Sequence, residues 1–202
     1  GDVLMQVVFH AQMEAEEGSF TFENVADGVC KKLIERHPHV FGEVEVTGSE
    51  EVLRNWDDIK KRSKGQTSQT ETMLSVPREL PALMRATKVQ KKAAKVGFDW
   101  PDISGAVDKL YEETSELSGA IESGSEEEIA EELGDLLFSA VNVSRFVGCD
   151  AEEALTAATD KFMRRFACVE EKARERGLKL EELSLSELDA LWDEAKLDLL
   201  SK

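Results

Sequence analysis

Apolar residues recur at helical spacing along most of this chain, and few residues interrupt the pattern. Only four prolines occur among 202 residues, and the alternating β-branched runs that mark strands are nearly absent. Hydrophobic residues make up 41% of the sequence, which is enough to form a buried core. The pattern therefore predicts an all-α globular protein, with room for one large domain or two small ones.

Caps, prolines and glycines mark where the predicted helices begin and end. The second helix stops at His37-Pro38, because proline removes a backbone donor, and glycines such as Gly124 end later helices. The chain between residues 40 and 48 is predicted to be a loop or a short strand. Helices are predicted over residues 3–17, 21–36, 50–61, 80–96, 103–123, 126–147, 151–175 and 186–199.

Two parts of the sequence resemble each other. Asp2 and Asp135 each follow a glycine and precede an apolar helix, and a Lys and an Arg four residues apart occur downstream in both copies. The paired cations are Lys32 with Arg36 and Lys161 with Arg165. The repeat predicts a partial N-terminal domain over residues 1–62, without its first helices, a polar linker over 63–76 and a C-terminal domain over 77–202.

The charge balance limits the partners of this chain. Forty-two acidic residues against twenty-five basic ones give a formal charge of −17, which repels nucleic acids and anionic membranes. Neither is expected as a partner. Three widely spaced cysteines, Cys30, Cys149 and Cys168, form no disulfide or zinc pattern, and no targeting or membrane segment is visible. We therefore expect a cytoplasmic protein.

Acidic residues occur with matched spacing on two consecutive predicted helices. Glu113 and Glu116 belong to an EExxE pattern on the first helix, and Glu132 and Asp135 belong to an EExxD pattern on the second. At about 100° per residue, each helix carries two carboxylates on the same side of its apolar stripe. Glu113 and Glu132 lie nearer the stripe, and Glu116 and Asp135 lie farther round the helix. The predicted stripes are Leu110, Thr114, Leu117 and Ile121 on the first helix, and Ile129, Leu133, Leu136 and Ala140 on the second. Antiparallel packing of these stripes would bring four acids together.

Four converging carboxylates require cations, because an unpaired charge is costly to bury. Oxygen ligands without His or Cys favour Mg²⁺, with Mn²⁺ as a substitute, and Mg²⁺ commonly bridges protein carboxylates and substrate phosphates. Solvated helix faces in an acidic protein also produce such patterns by chance. The matched offset on two helices favours a metal site and a phosphate ester or anhydride substrate.

Further candidates for phosphate and base contacts lie near these acids. Lys161 and Arg165 share a helix face and could grip a polyphosphate, although pairing with neighbouring acids is an alternative. Trp192 could stack on a base or belong to the core, and Lys109 could be a surface charge. The sequence contains no P-loop or dinucleotide-binding fingerprint, so a nucleotide would have to be held without these folds.

The sequence resembles the MazG family of nucleoside triphosphate pyrophosphohydrolases over nearly its whole length. The resemblance rests on GFDWPD at 97–102, the EExxE at 112–116, EELGDLLF at 131–138 and KFMRRF at 161–166, with GDVLMQVVFHA at 1–11 and HPHVFG at 37–42 in the first copy. It implies tandem, four-helix-bundle-like domains of an all-α enzyme. Such an enzyme would be a homodimer and would use Mg²⁺ to cleave many nucleoside triphosphates to monophosphate and pyrophosphate.

The resemblance also implies roles for individual residues. The metal ligands would be Glu113, Glu116, Glu132 and Asp135, with Glu132 and Glu113 catalytic. The nucleotide contacts would be Lys161, Arg165 and Trp192, and further Lys109 and Glu131. The first copy keeps Asp2 but lacks an EExxE helix, so it cannot complete a four-carboxylate site by itself.

Three other functions fit parts of the pattern. One is a pyrophosphatase of narrower substrate choice, acting on dUTP, dCTP or phosphoribosyl-ATP. Another is a helical protein that binds nucleotides or regulates a partner without turnover. The third, an acidic helical scaffold with no site, requires the matched carboxylates to be a coincidence.

Overall fold

The structure is a computed structural model that describes residues 1–42, 48, 52, 56, 59, 61–63 and 65–200. These residues form helices and turns and no strand, which confirms the predicted all-α class. None of the described helices is both long and apolar enough to cross a membrane. The helices are α1 Asp2–Glu16, α2 Phe22–Arg36, α3 Pro38–Phe41, α4 Gln69–Leu74, α5 Ala82–Ala94, α6 Ile103–Ser123, α7 Glu126–Phe146, α8 Ala151–Glu175 and α9 Leu185–Leu200, with a 3-10 turn at Leu180–Glu182.

The helix bounds agree closely with those predicted from the sequence. The bounds of α6 and α8 match the prediction, and the other long described helices differ from it by one or two residues. Most of the predicted helix over 50–61 and most of the predicted loop over 40–48 lie outside the described residues, and the described positions 52, 56, 59 and 61 are helical. α4 lies within the range predicted as a linker. The chain separates into two compact units, Gly1–Thr72 and Met73–Lys202.

The first unit contains the packed pair α1 and α2. A capping box begins α2: the amide of Asn24 donates to Thr21 Oγ1 at 3.4 Å, and the amide of Thr21 donates to Asn24 Oδ1 at 2.9 Å. Apolar side chains along α1 remain largely exposed, including Val3 at 80% and Phe9 at 59%. The pair α1 and α2 therefore leaves most of the apolar surface of α1 uncovered.

The second unit is organised around the hairpin of α6 and α7, which pack closely against each other. Asp102 caps α6 by accepting the amide of Ser104 at 2.8 Å. Gly124 ends the helix in the left-handed region, with φ of 76°, and Ser125 begins α7 by accepting the amide of Glu128 at 3.3 Å. The turn is thus only two residues long, and it fixes which turns of α6 and α7 face each other.

The remaining helices support this hairpin. α5 packs on α7 and α8, and its buried Gln90 donates to the backbone oxygen of Phe138 at 2.8 Å. α9 packs on α8 around a buried cluster that includes Val169 and Leu191. Bidentate contacts between Asp99 and Arg145 join the loop before α6 to the end of α7. These contacts join α7 to α5 and to the loop before α6.

Candidate active site

Three carboxylates meet where α6 faces α7. Oxygens of Glu113, Glu116 and Glu132 all lie within 4.8 Å of one another. Glu113 is only 3% exposed, Glu132 is half-buried and Glu116 is exposed. The cluster therefore extends from the buried helix contact to the surface, so a ligand could reach it from solvent while Glu113 stays in place.

Lys109 supplies the positive charge of this cluster. Its Nζ lies 2.6 Å from Glu113 Oε1 and 2.7 Å from Glu112 Oε1, one turn along α6. These two hydrogen bonds, to Glu112 and then Glu113, raise the pKa of Lys109. The single ammonium group faces several carboxylates and leaves a net negative charge in the cluster.

This negative charge affects the two outer carboxylates. Loss of hydration raises the pKa of Glu116, and the neighbouring charge of Glu113 raises it further. Loss of hydration likewise raises the pKa of Glu132, followed by the charges of Glu116 and Glu113. Both groups are thus costly to ionise together unless a cation binds.

The predicted fourth ligand and its neighbour lie beside this group. Asp135 is exposed on α7, one turn beyond Glu132, and is not among the three carboxylates within 4.8 Å. Its charge contributes to the raised pKa of Glu132, as does that of Glu131, which is also exposed. Both residues thus act on the cluster electrostatically.

The predicted stripes of α6 and α7 are covered only in part. Leu110, Leu117, Ile129 and Leu136 are half-buried, whereas Thr114, Ile121, Leu133 and Ala140 are exposed. On α6 the buried residues are spaced seven apart and are Ala106, Glu113 and Ala120; on α7 they are Ser139 and Val141. Small side chains let two helices approach closely, so Glu113 lies in the middle of the contact. Some longer apolar side chains remain exposed, among them Ile121, Leu137 and Phe138.

The predicted phosphate and base contacts form a second group, at the packing of α8 against α9. The ring centroids of Phe162 and Trp192 are 5.0 Å apart, and the guanidinium of Arg165 lies 5.9 Å from the Trp192 ring centroid. Trp192 also packs on the α8–α9 core. Within the described part of the chain, Lys161 and Arg165 make no ion pair, and the group shares no hydrogen bond with the carboxylates.

The donor set of the carboxylate cluster fits a hard divalent cation. Its oxygens are close enough to share one ion, and a buried anion such as Glu113 needs a positive partner. Lys109 already provides one such partner, and the cluster of three carboxylates still carries net negative charge beside it. Glu113, Glu116 and Glu132 are the residues that could hold the ion.

Sequence reasoning missed a buried polar residue on α5. Gln90 is 7% exposed and lies seven residues after Leu83, on the apolar face of its helix. A polar residue on the apolar face of a helix predicts a buried side chain with a hydrogen-bond partner, and this pattern could have identified Gln90. The pairing of Asp99 with Arg145 was also missed, because their 46-residue separation gives no local pattern.

Comparisons with known proteins agree with this geometry. The family model described as a MazG nucleotide pyrophosphohydrolase domain matches residues 1–41 and 104–169. The nucleoside triphosphate pyrophosphohydrolase of Escherichia coli is 43% identical over 198 residues, which cover 97% of this chain and 75% of that protein. The nucleoside triphosphate pyrophosphohydrolase/pyrophosphatase MazG of Thermotoga maritima is 45% identical over 196 residues, which cover 97% of this chain and 74% of that protein. The uncharacterized protein YabN of Bacillus subtilis is 50% identical over 197 residues, covering 97% of this chain and 40% of YabN.

Proposed function

This chain belongs to the MazG nucleotide pyrophosphohydrolase family, and we propose that it hydrolyses nucleoside triphosphates to monophosphate and pyrophosphate, with Mg²⁺ and with several bases accepted. As a member of the family it is a nucleoside triphosphate pyrophosphohydrolase. Family membership alone does not give the dependence on Mg²⁺ or the range of substrates, which are the proposed parts. Mn²⁺ would serve as a substitute metal.

The observation that carries the proposal is the group of Glu113, Glu116 and Glu132 within 4.8 Å. A triphosphate is strongly anionic, and this protein has a formal charge of −17. A cation between the two is the simplest way to reverse the local field. Asp135 would join as a fourth ligand through a rotation of its exposed side chain.

Bound Mg²⁺ would supply positive charge to the phosphates and lower the pKa of a coordinated water. Glu113 would fix the position of the ion, because its side chain is buried between α6 and α7. Glu132 would accept a proton from the attacking water, since its carboxylate lies within 4.8 Å of those of Glu113 and Glu116, beside the place where a coordinated water would bind. Glu132 and Glu113 are therefore the proposed catalytic residues.

Contacts to the rest of the nucleotide are assigned to the α8–α9 group. Lys161 and Arg165 would bind the phosphates, and Trp192 would contact the base without requiring one base identity. Lys109 would turn from Glu113 to the phosphates when a metal ion takes over its charge. Glu131 would contact the nucleotide from the exposed side of α7.

Exposed apolar residues support a homodimer. Ile121 is 59% exposed, Phe162 56% and Met163 55%, and such side chains on one unit are typical of a surface that a second chain covers. Size-exclusion chromatography with light scattering tests this assembly. We also propose that residues 1–62 and 77–202 belong to two tandem domains of one kind, joined by the linker at 63–76.

The same observations support two further proposals about its surroundings. The net acidic charge disfavours nucleic acids as general partners. The three cysteines are unpaired, as expected in a reducing compartment such as the cytoplasm.

The decisive experiment measures pyrophosphate release from the eight common ribo- and deoxyribonucleoside triphosphates, with Mg²⁺ and with chelator. We expect Mg²⁺-dependent release from several substrates by the unmodified chain and loss of release in Glu132→Gln. Glu127→Gln, an exposed acid in the first turn of the same helix, is the matched control and should stay active. Full activity of Glu132→Gln would remove that residue from the mechanism, and release from dUTP or dCTP alone would replace broad specificity with a narrow one.

A further inference from the structure

The helix α5 concentrates positive charge in a chain that is acidic overall. From residue 82 to residue 95 the sequence has five cationic residues and no acidic one, whereas the whole chain has a formal charge of −17. At about 100° per residue, these cations occupy roughly a third of the helix circumference. They are Arg85, Lys88, Lys91, Lys92 and Lys95. Such a stripe produces a local positive field that attracts anions.

Arg85 is the first cation of this stripe, and its guanidinium is available to a ligand. Its side chain is exposed and, among the described residues, makes neither an ion pair nor a hydrogen bond. By contrast, Lys172 and Arg176 pair with acids of α9. An exposed arginine without an acidic partner in such an acidic chain can bind an anion without first breaking an ion pair.

Arg85 lies beside the acidic part of α7. A cavity of about 410 Å³ lies between the N-terminal half of α5 and α7, and Arg85 and Gly134 both line it. The other lining residues are uncharged, so Arg85 supplies the charge of this wall. Gly134 directly precedes Asp135, the proposed fourth metal ligand. The cavity therefore brings the start of α5 next to the carboxylate cluster.

The helices α5 and α7 run parallel to each other. Ala86 and Gly134 line the first cavity. Ala93 and Arg145, which lie farther along the two helices, line a second cavity between them. The order of contacts is thus the same on both helices, and this order fixes which of their sides face the same way.

Arg85 and Asp135 lie on the same side of these two helices. Viewed from the N-terminal ends with α5 on the left, successive residues of each helix advance clockwise by about 100°. The cavity-lining residues of α5 centre about 100° clockwise of Arg85, and those of α7 centre about 90° counterclockwise of Asp135. When the two lining faces are turned toward each other, Arg85 and Asp135 both point upward. Glu132 lies about 60° farther round α7, toward α6.

The separation of these two positions suits one bridging phosphate group. Packed helices lie about 8–10 Å apart, a distance that an arginine side chain and a phosphate can span together. Side chains on a helix lean toward its N-terminal end, which brings the guanidinium of Arg85 toward the level of Asp135. A phosphate bound to a metal ion beside Asp135 would therefore lie within reach of Arg85.

We propose that Arg85 is a phosphate-binding residue of the active site, reaching from α5 to the triphosphate that the metal-loaded carboxylates hold. The inference rests on the proposed function, which places the metal ion at Glu113, Glu116 and Glu132. A guanidinium binds a phosphate through two parallel hydrogen bonds. The other cations of α5 raise the local concentration of the anionic substrate near this residue.

The test measures binding of a ligand that is not consumed. Calorimetry is done on the whole chain in Mg²⁺ with a nucleoside triphosphate whose α–β bridging oxygen is replaced by methylene. We expect Arg85→Gln to weaken binding by about tenfold or more. Arg85→Lys should fall between the two, because lysine keeps the charge but not the paired hydrogen bonds. Arg174→Gln, at an exposed arginine of α8, is the matched control and should bind like the unmodified chain.

A salt titration separates a phosphate contact from a structural effect. Affinity for the analogue should fall less steeply with salt in Arg85→Gln than in the unmodified chain, because one ionic contact is missing. The melting temperature should stay the same, since the side chain is exposed. The proposal is overturned if the unmodified chain does not bind the analogue, if Arg85→Gln binds it with unchanged affinity, or if the two salt dependences are equal.

Product binding then identifies the phosphate that Arg85 contacts. Weaker binding of pyrophosphate by Arg85→Gln would place the β and γ phosphates there, and weaker binding of a nucleoside monophosphate would place the α phosphate there. Either result supports the contact, and unchanged affinity for both products contradicts it. Failure of the unmodified chain to release pyrophosphate from any triphosphate would contradict the proposed function, whereas the analogue titration would still decide the role of Arg85.

Discussion

The ammonium group of Lys109 lies 2.6 Å from a carboxylate oxygen of Glu113, whose side chain is buried between two helices. In Lys109→Met this carboxylate loses its only observed cationic partner among the described residues. We expect a lower melting temperature in chelator and a larger rise on adding Mg²⁺ than in the unmodified chain, because a metal ion restores the lost positive charge.

Differential scanning fluorimetry with and without Mg²⁺ checks this expectation. Lys179→Met removes an exposed pair with Glu182 of similar length, at 2.6 Å, and should change neither the melting temperature nor its response to Mg²⁺ appreciably. Equal behaviour of the two variants would show that Lys109 does not neutralise Glu113.

Glu132→Gln should make the metal-free chain more stable while it abolishes hydrolysis. The pKa of Glu132 is raised in the folded chain, so between its ordinary value and the raised value the folded chain keeps a proton that the unfolded chain has lost. The free energy of unfolding therefore falls as pH rises through this window. Glutamine does not titrate, so Glu132→Gln avoids this fall.

Urea denaturation in chelator at several pH values measures the effect. The midpoint of Glu132→Gln should exceed that of the unmodified chain at neutral pH, and the two should converge below the ordinary carboxylate pKa. A lower midpoint for the variant at neutral pH would contradict the repulsion among Glu132, Glu116 and Glu113.

Two glycines of α6 should respond oppositely to the same substitution. A Cβ on Gly105 would lie 2.6 Å from Cε3 of Trp100, whereas a Cβ on Gly119 meets nothing within 4 Å. Gly105→Ala should cost about 1–3 kcal/mol of unfolding free energy through this clash. Gly119→Ala should add about 0.5–1 kcal/mol, because alanine favours the helix. Urea denaturation of both variants checks the prediction, and stabilisation by Gly105→Ala would show that Trp100 does not pack there.

Asp99→Asn should destabilise the second unit by about 1–2 kcal/mol, because it weakens charge-assisted hydrogen bonds to a largely buried Arg145. The hydrogen bonds from Arg145 lower the pKa of Asp99, so this stability is present above the ordinary aspartate pKa and is lost as pH falls through the lowered value.

Denaturation midpoints of Asp99→Asn and the unmodified chain should therefore approach each other in acid. Asp160→Asn, at an exposed position of α8, is the control and should match the unmodified chain at every pH. A constant difference between Asp99→Asn and the unmodified chain would mean that Asp99 contributes through shape and not through charge.

Sequence periodicity was sufficient for the helices but not for the faces they bury. The bounds of α6 and α8 follow from local signals such as Gly124 and the caps. The contact between α6 and α7 does not, because it depends on how closely small side chains let the helices approach. Glu113 took a buried position that periodicity alone would give to an apolar residue. Long-range pairs such as Asp99 with Arg145 leave no trace in local spacing.

Because the turn between α6 and α7 is only two residues long, the acids of the cluster lie close together in the sequence. Glu113 and Glu132 are only 19 positions apart, so bringing them together closes a short loop and requires little loss of chain entropy. The hairpin can therefore form early in folding and present its acids before distant helices dock. One residue inserted within α7 between Ser125 and Glu132 would rotate Glu132 by about 100° relative to the start of the helix, so the spacing from the turn to this acid is constrained as strictly as the acid itself.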